Sequence, residues 1–232
     1  MTGDLSEAAR AEADATEETA SLRPWSLFPV LLIAALVAGA AVLAWQLWPR
    51  LPGDDSVDAG FARDMATHHE QAVEMALIAR DRTENEAIKY LATDVVQSQA
   101  TQRGMMLGWL DVWGLPPTGA EPAMAWMGHP TRGRMPGMAS REEIEQLEHL
   151  PLAQADAEFL RLMIRHHQSG VSMAQAGLER AGRDEVRRLA RAIAQAQTSE
   201  VQQMQEILDA MASVPAPHAS PEPEGMEGMG TG

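Results

Sequence analysis

Two stretches of this chain, MATHHEQAVEMA at residues 65–76 and MIRHHQSGVSMA at 163–174, carry Met, two adjacent His and a second Met at the same offsets, 98 positions apart. The correspondence extends beyond them. Phe61 matches Phe159, Leu91 matches Leu189, Val95 matches Ile193, Gln97 and Gln99 match Gln195 and Gln197, Met106 matches Met204, and Leu110 matches Leu208. In each copy apolar residues recur at helical spacing over two successive segments. Each copy therefore predicts a helical hairpin, and a single hairpin could not bury its own apolar face. The expected fold is all-α: a four-helix bundle of two duplicated hairpins with pseudo-twofold symmetry, over residues 57–212.

Local signals divide the chain further. The first bundle helix is expected from Val57 to Arg82, with Thr83 and Glu86 forming a capping box for the next. That second helix should reach Trp113, where Gly114 and the Pro116–Pro117 pair stop it. Residues 114–139 form a Gly/Pro/Met-rich loop that shows no apolar face, so it is expected to be dispensable for folding. Ser140 with Glu143 opens a short helix closed by Pro151, and two long helices follow at about 154–181 and 184–212, separated at Gly182. Residues 213–232 read as a flexible tail carrying His218, Met226 and Met229.

Ahead of the bundle, residues 25–48 contain no charged side chain over 24 positions, with Trp25, Trp45 and Trp48 at the two ends. A helix of that length rises roughly 36 Å, enough for a bilayer core of about 30 Å. Indoles favour the membrane interface, so the segment reads as a transmembrane anchor. A cleaved signal peptide is the competing reading. Its leader should be basic and its apolar core shorter, whereas residues 1–24 hold six acids and two arginines. Small residues near Gly39–Ala41 would nevertheless suit a peptidase. The acidic residues 1–24 lack an apolar stripe and read as a disordered tail, and residues 49–56 as a linker. Arg23 and Arg50 nearly cancel in positive-inside counting; a short tail before a single anchor favours an extracytoplasmic C-terminal part.

Placed on a helix at 100° per residue, Phe61, His68, His69, Ala72, Met75 and Ala76 fall within about 60–80° of Met65. The second copy puts Phe159, Met163, His166, His167, Gly170, Met173 and Ala174 on the equivalent face. The four His and four Met can thus meet in the bundle interior, with Ala72 and Gly170 small enough for close helix approach. Imidazole with thioether is a ligand set for copper, Met selecting the soft Cu(I) state. The alternative is a satisfied polar core, in which the Met residues only pack. Gln99, Gln102, Gln197 and Glu200 share the inward stripes with Met106 and Met204 and could be the partners that buried imidazoles need.

Composition removes several other functions. A net charge of −15 argues against nucleic acid held through phosphates. With no cysteine, disulfides, thiolate metal sites and cysteine nucleophiles are excluded. No Glu has a His three residues on, as a carboxylate-bridged di-iron bundle requires. His69–Glu70 begins an HExxH, but Val73 fills the second His position. No catalytic group is identifiable. Fourteen of the 15 Met follow the apolar segment, and Met124, Met127, His129, Met135 and Met138 crowd the loop as secondary metal candidates beside Met106, Met204 and Glu200.

FARDMATHHEQAVEMA and FLRLMIRHHQSGVSMA, each followed by the Gln/Met stripe of a partner helix, resemble the family called domain of unknown function 305. The MPGM segment leading into SREEIEQL is similar to it as well. The resemblance covers residues 57–212. It implies a ferritin-like bundle, usually exported, some of whose members are associated with copper binding and copper tolerance. Carried over by position, the family motif falls on Met65, His68, His69 and Met75, and on Met163, His166, His167 and Met173. Gln197, Glu200 and Met204 match the last helix, whereas the first half has Gln102 where the second has Glu200. Together these readings lead to the expectation of a membrane-anchored, extracytoplasmic copper-binding protein, with Cu(I), Cu(II) or both, for sequestration, delivery or tolerance. A ferritin-like metal oxidase and a metal-free interaction module are the alternatives. No protein partner is indicated, and a homo-oligomer is left open.

Overall fold

A computed structural model describes residues 24–47 and 50–213. Outside them lie most of the acidic N-terminal segment, Trp48 at the far end of the apolar stretch, and the terminal segment with His218, Met226 and Met229. The described residues are all-helical apart from loops and one isolated bridge, and fall into two units, residues 1–50 and 51–232. The first holds α1, Pro24–Leu47, in which Phe28–Gln46 is long and apolar enough to cross a membrane. Signal sequences near an N-terminus share that length and apolar character.

The second unit is the bundle. Its helices are α2 (Val57–Arg82), α3 (Glu86–Val112), α4 (Arg141–His149), α5 (Leu152–Arg180) and α6 (Asp184–Ser213). α2 pairs with α3 and α5 with α6, while α2 and α5 pack on each other across the centre; α3 and α6 barely touch. The helix ends follow local chemistry. The Ser56 hydroxyl accepts from the Ala59 amide to start α2. After α3, the Leu115 amide donates to the Leu110 carbonyl (2.8 Å) and Gly114 to Asp111 (3.0 Å), with Gly114 at φ 70°. That is a Schellman stop, which a residue with a Cβ would strain. Ser140 and Glu143 make the expected capping box of α4.

The capping box expected at Thr83 and Glu86 does not form. Asn85 caps α3, its side-chain oxygen accepting from the Ala87 and Ile88 amides. The Thr83 hydroxyl instead donates to Asp156, 73 residues away (3.0 Å). Asp156 has a counterpart 98 positions earlier, Asp58, which accepts from the Gly182 and Arg183 amides in the other hairpin's turn (3.1 and 2.9 Å). Each hairpin thus extends one nearly buried aspartate to tie down the turn of the other.

The loop between the hairpins corrects a second expectation. Met124, Met135 and Ala139 are buried, so this segment does supply apolar surface to the core. It contains a short 3₁₀ turn, Ala125–Met127, and is strapped across α2 and α5. Asp64 on α2 accepts from the Met124 amide (2.7 Å) and from the Trp126 indole (2.8 Å), and Trp126 packs edge-on against Phe61. Gln71 exchanges two hydrogen bonds with the Ala139 backbone (3.0 and 2.7 Å), while Ser169 on α5 donates to the Pro136 carbonyl. Gly137, at φ 79°, lies so close to α5 that a Cβ there would come 2.9 Å from the Arg165 carbonyl oxygen. The MPGM segment is therefore a close backbone crossing as well as a pair of methionines.

Candidate metal centre

α2 and α5 come together because small residues face each other's bulky ones. A Cβ on Gly177 would lie 2.6 Å from the Phe61 ring, and one on Gly170 would strike Gln197 and come 3.1 Å from His68 Cε1. This close approach stacks the two copies of the repeated motif. His68 and His166 meet with ring centroids 3.7 Å apart and planes inclined by 31°. Their neighbours His69 and His167 stand off at 6.4 and 6.2 Å from His68 and His166, with nearly equal tilts of 52° and 51°. The sequence repeat thus has its counterpart in the geometry.

All four imidazoles are fully buried. His69 Nε2 lies 2.7 Å from the Gln102 side-chain oxygen, and His167 Nε2 lies 2.7 Å from a Glu200 carboxylate oxygen. Both partners sit 33 positions after their histidine. With a carboxylate or amide oxygen accepting in each pair, Nε2 is the donor. In the neutral ring this leaves the lone pair on Nδ1. Gln99 makes a longer contact to His167 Nε2, 3.4 Å. Among the described residues, no group stands in hydrogen-bonding geometry to either ring nitrogen of His68 or of His166, nor to Nδ1 of His69 or of His167.

Methionines border this layer on both sides. Met65, Met106 and Met173 belong to the buried cluster on one side, which the strap's Met124 and Met135 join; Met75, Met163 and Met204 belong to the cluster on the other. All eight predicted motif residues are therefore buried in the same core, together with Met106 and Met204. The remaining secondary candidates separate. Glu200 meets His167; Met127 and Met138 are half-buried against the first cluster, and His129 is exposed. Among the described residues, no three His, Asp or Glu side chains gather as a ready-made site for an ion. A full coordination sphere here would have to combine imidazole with thioether.

Burial dominates the electrostatics. It holds His68 and His166 well below the ordinary imidazole pKa, with the neighbouring histidines adding to the effect. It lowers His69 to about 4, against an opposing contribution from the Gln102 hydrogen bond. These imidazoles are neutral at pH 7, the protonation state that binds metals. A buried polar atom without a partner costs about 1–3 kcal/mol. Several together rival the whole stability of a domain, about 5–15 kcal/mol. A ligand that takes up the free lone pairs removes that burden, and the donor set fits a soft or borderline metal ion.

The sequence reading missed Asp58 and Asp156, although they share the 98-residue offset that located the histidines. It missed Asp64 and Gln71 too, for which no sequence signal existed, since their partners lie in an aperiodic segment.

Comparison with known proteins agrees with this architecture. The family model for domain of unknown function (DUF305) matches residues 58–208. A DUF305 protein of Streptomyces coelicolor is 46% identical, with a TM-score of 0.66 over 72% of this chain and 100% of the other. A DUF305 fragment from Deinococcus radiodurans is 37% identical, with a TM-score of 0.58 over 70% and 99%. CopM in its Cu(I)-bound form is 26% identical, with a TM-score of 0.51 over 66% and 96%. In its Cu(II)-bound form the figures are 25%, 0.50, 66% and 97%. No curated protein matches significantly.

Proposed function

The chain belongs to the DUF305 family, and from that premise we propose that its bundle core binds copper through the imidazoles and thioethers of the repeated motif, for sequestration or delivery. The observation that carries the reading is the set of buried imidazole nitrogens free of hydrogen bonds, bordered by methionine on both sides. The copper-bound forms of CopM, a structural neighbour, support it. Ca²⁺ and Mg²⁺ require hard oxygen ligands, and Zn²⁺ gains little from thioether. Cu(I) uses both donor types and Cu(II) leans on nitrogen. The ligands we assign are Met65, His68, His69, Met75, Met163, His166, His167 and Met173, and the role is binding without turnover. We place the domain outside the cytoplasm, held at the membrane by α1.

The test is metal analysis of the purified chain, followed by titration with Cu(I) and Cu(II) against a competing chelator. His68→Ala with His166→Ala should weaken both oxidation states. Met65→Leu with Met163→Leu should mainly weaken Cu(I), because Leu keeps the volume and removes the sulfur. Affinities equal to the parent in both double variants would reduce the motif to core packing. Oxygen consumption in the presence of Cu(I) or Fe(II) would replace binding by an oxidase reading.

A further inference from the structure

The two halves of the core are matched in every histidine but differ in what stands behind the outer pair. His69 leans on Gln102, a neutral amide, and His167 on Glu200, a nearly buried carboxylate; both distances are 2.7 Å and both partners sit at the same place in the repeat. Geometry is thus held constant while one charge changes. Either partner fixes the Nε2–H tautomer and aims Nδ1 inward. Only the carboxylate makes the imidazole more basic and places a negative charge behind it. A metal on His167 Nδ1 would feel that charge directly through the ring, whereas His69 feels Glu200 only across the core, as the weakest of the influences on it.

We propose that Glu200 and Gln102 divide the core into two unequal copper subsites: the His166–His167 half, backed by Glu200, takes Cu(II), and the His68–His69 half, backed by Gln102, takes Cu(I). This rests on copper binding in the core as proposed above. Cu(II) carries one more positive charge and favours a strongly basic nitrogen, whereas Cu(I) is satisfied by neutral imidazole and thioether. Glu200 then acts as a positioning residue through His167, without touching the ion. Its effect should appear as a difference between oxidation states.

The experiment uses the full-length chain in detergent, titrated with Cu(II), with Cu(I), and with Ag(I) as a redox-inert stand-in for Cu(I). Glu200→Gln keeps the shape and the hydrogen bond and removes the charge. Loss of such a supporting carboxylate lowers metal affinity by about 10–100-fold. That loss is expected for Cu(II) alone, with Cu(I) and Ag(I) unchanged. The reduction potential of the bound copper should then rise by about 59 mV for each tenfold loss of Cu(II) affinity over Cu(I). Gln102→Glu, at a partly exposed position, should do the reverse: tighten Cu(II), leave Ag(I) and lower the potential. A role confined to folding would move both oxidation states together. Parallel losses of Cu(I) and Cu(II), or potentials unchanged in both variants, overturn the division while leaving copper binding intact. A parent chain that takes up no copper overturns both proposals at once.

Discussion

Lowering the pH should unfold the metal-free bundle through its own histidines. His69 is lowered from an ordinary value of 6.5 to about 4. A folded-state pKa below that of the unfolded chain means the unfolded state binds the proton first. Above pH 6.5 nothing is lost. Between pH 6.5 and about 4 the His69 contribution drains away at roughly 1.4 kcal/mol per pH unit, reaching about 3 kcal/mol in all. His68 and His166 are displaced in the same direction by the same burial. With all three titrating in the unfolded chain, the slope below pH 6 should approach about 4 kcal/mol per pH unit. Asp64 and Asp156 oppose this, since burial raises their pKa values and protonation then favours the folded state.

Against a domain stability of about 5–15 kcal/mol, the loss of about 6 kcal/mol between pH 6 and pH 4.5 removes all of the lower figure and a large share of the upper. Urea unfolding followed by far-UV circular dichroism at pH 7.5, 6.5, 6.0 and 5.5 measures it. With m near 2 kcal/mol/M in urea, the midpoint should fall by about 2 M per pH unit below pH 6. His69→Gln should reduce the slope by about a third, whatever it does to stability at neutral pH. A midpoint that stays flat from pH 7.5 to 5.5 would refute the claim that these imidazoles are buried and neutral in the folded state.

Three further outcomes follow from the same core and from the segments around it. Gly170→Ala gains helix propensity, but its methyl group meets Gln197 and approaches His68; a net loss of about 1–3 kcal/mol is expected from overpacking, read by thermal melting. Replacing residues 114–139 by a short flexible linker should cost at least the burial of Met124 and Met135, each worth about 2–5 kcal/mol when removed from a core. Unchanged, cooperative unfolding of that variant would show the strap to be ornamental. A reporter fused after Gly232 should be active only outside the cytoplasm, and cytoplasmic activity alone would reverse the topology proposed from α1.

The helices and the duplication were legible in the sequence because both are carried by regular spacing. So was the Ser140–Glu143 cap, whose two bonds join residues three apart. The Thr83 cap was misread for the opposite reason: its hydroxyl is claimed by Asp156 from the other hairpin, and Asn85 takes over at α3. No local pattern reports a competitor 73 residues away. The strap was misread because its buried methionines reach the core through irregular backbone. Met124 is at φ 67° and Gly137 at φ 79°, so burial there has no period to detect. The four histidines could be assigned to an inward face from angles alone. Which of their nitrogens stay free could not, because that depends on distances to the partner helix.

Duplication explains why the core takes this form. In a pseudo-twofold bundle, a residue beside the axis meets its own repeat equivalent, so a single His in an ancestral hairpin becomes the His68–His166 pair without further change. A residue one step round the helix meets the partner helix of its own hairpin instead, and both copies find that partner 33 positions on. Symmetry therefore supplies two equal sets of ligands from one pattern. Departures from it have to be added one residue at a time, and two of them concern the polar and sulfur groups of the core. Glu200 faces Gln102 across the repeat, and the strap lays Met124 and Met135 against the Met65–Met173 side alone. Glu200 bears on the buried histidine layer through His167, and the strap adds two sulfurs to one of the apolar clusters of the core. A protein using the bundle only for shape would gain packing from the strap's methionines but nothing from a carboxylate in place of an amide. For one that must hold a soft ion in two oxidation states, these are the positions where inequality has an effect.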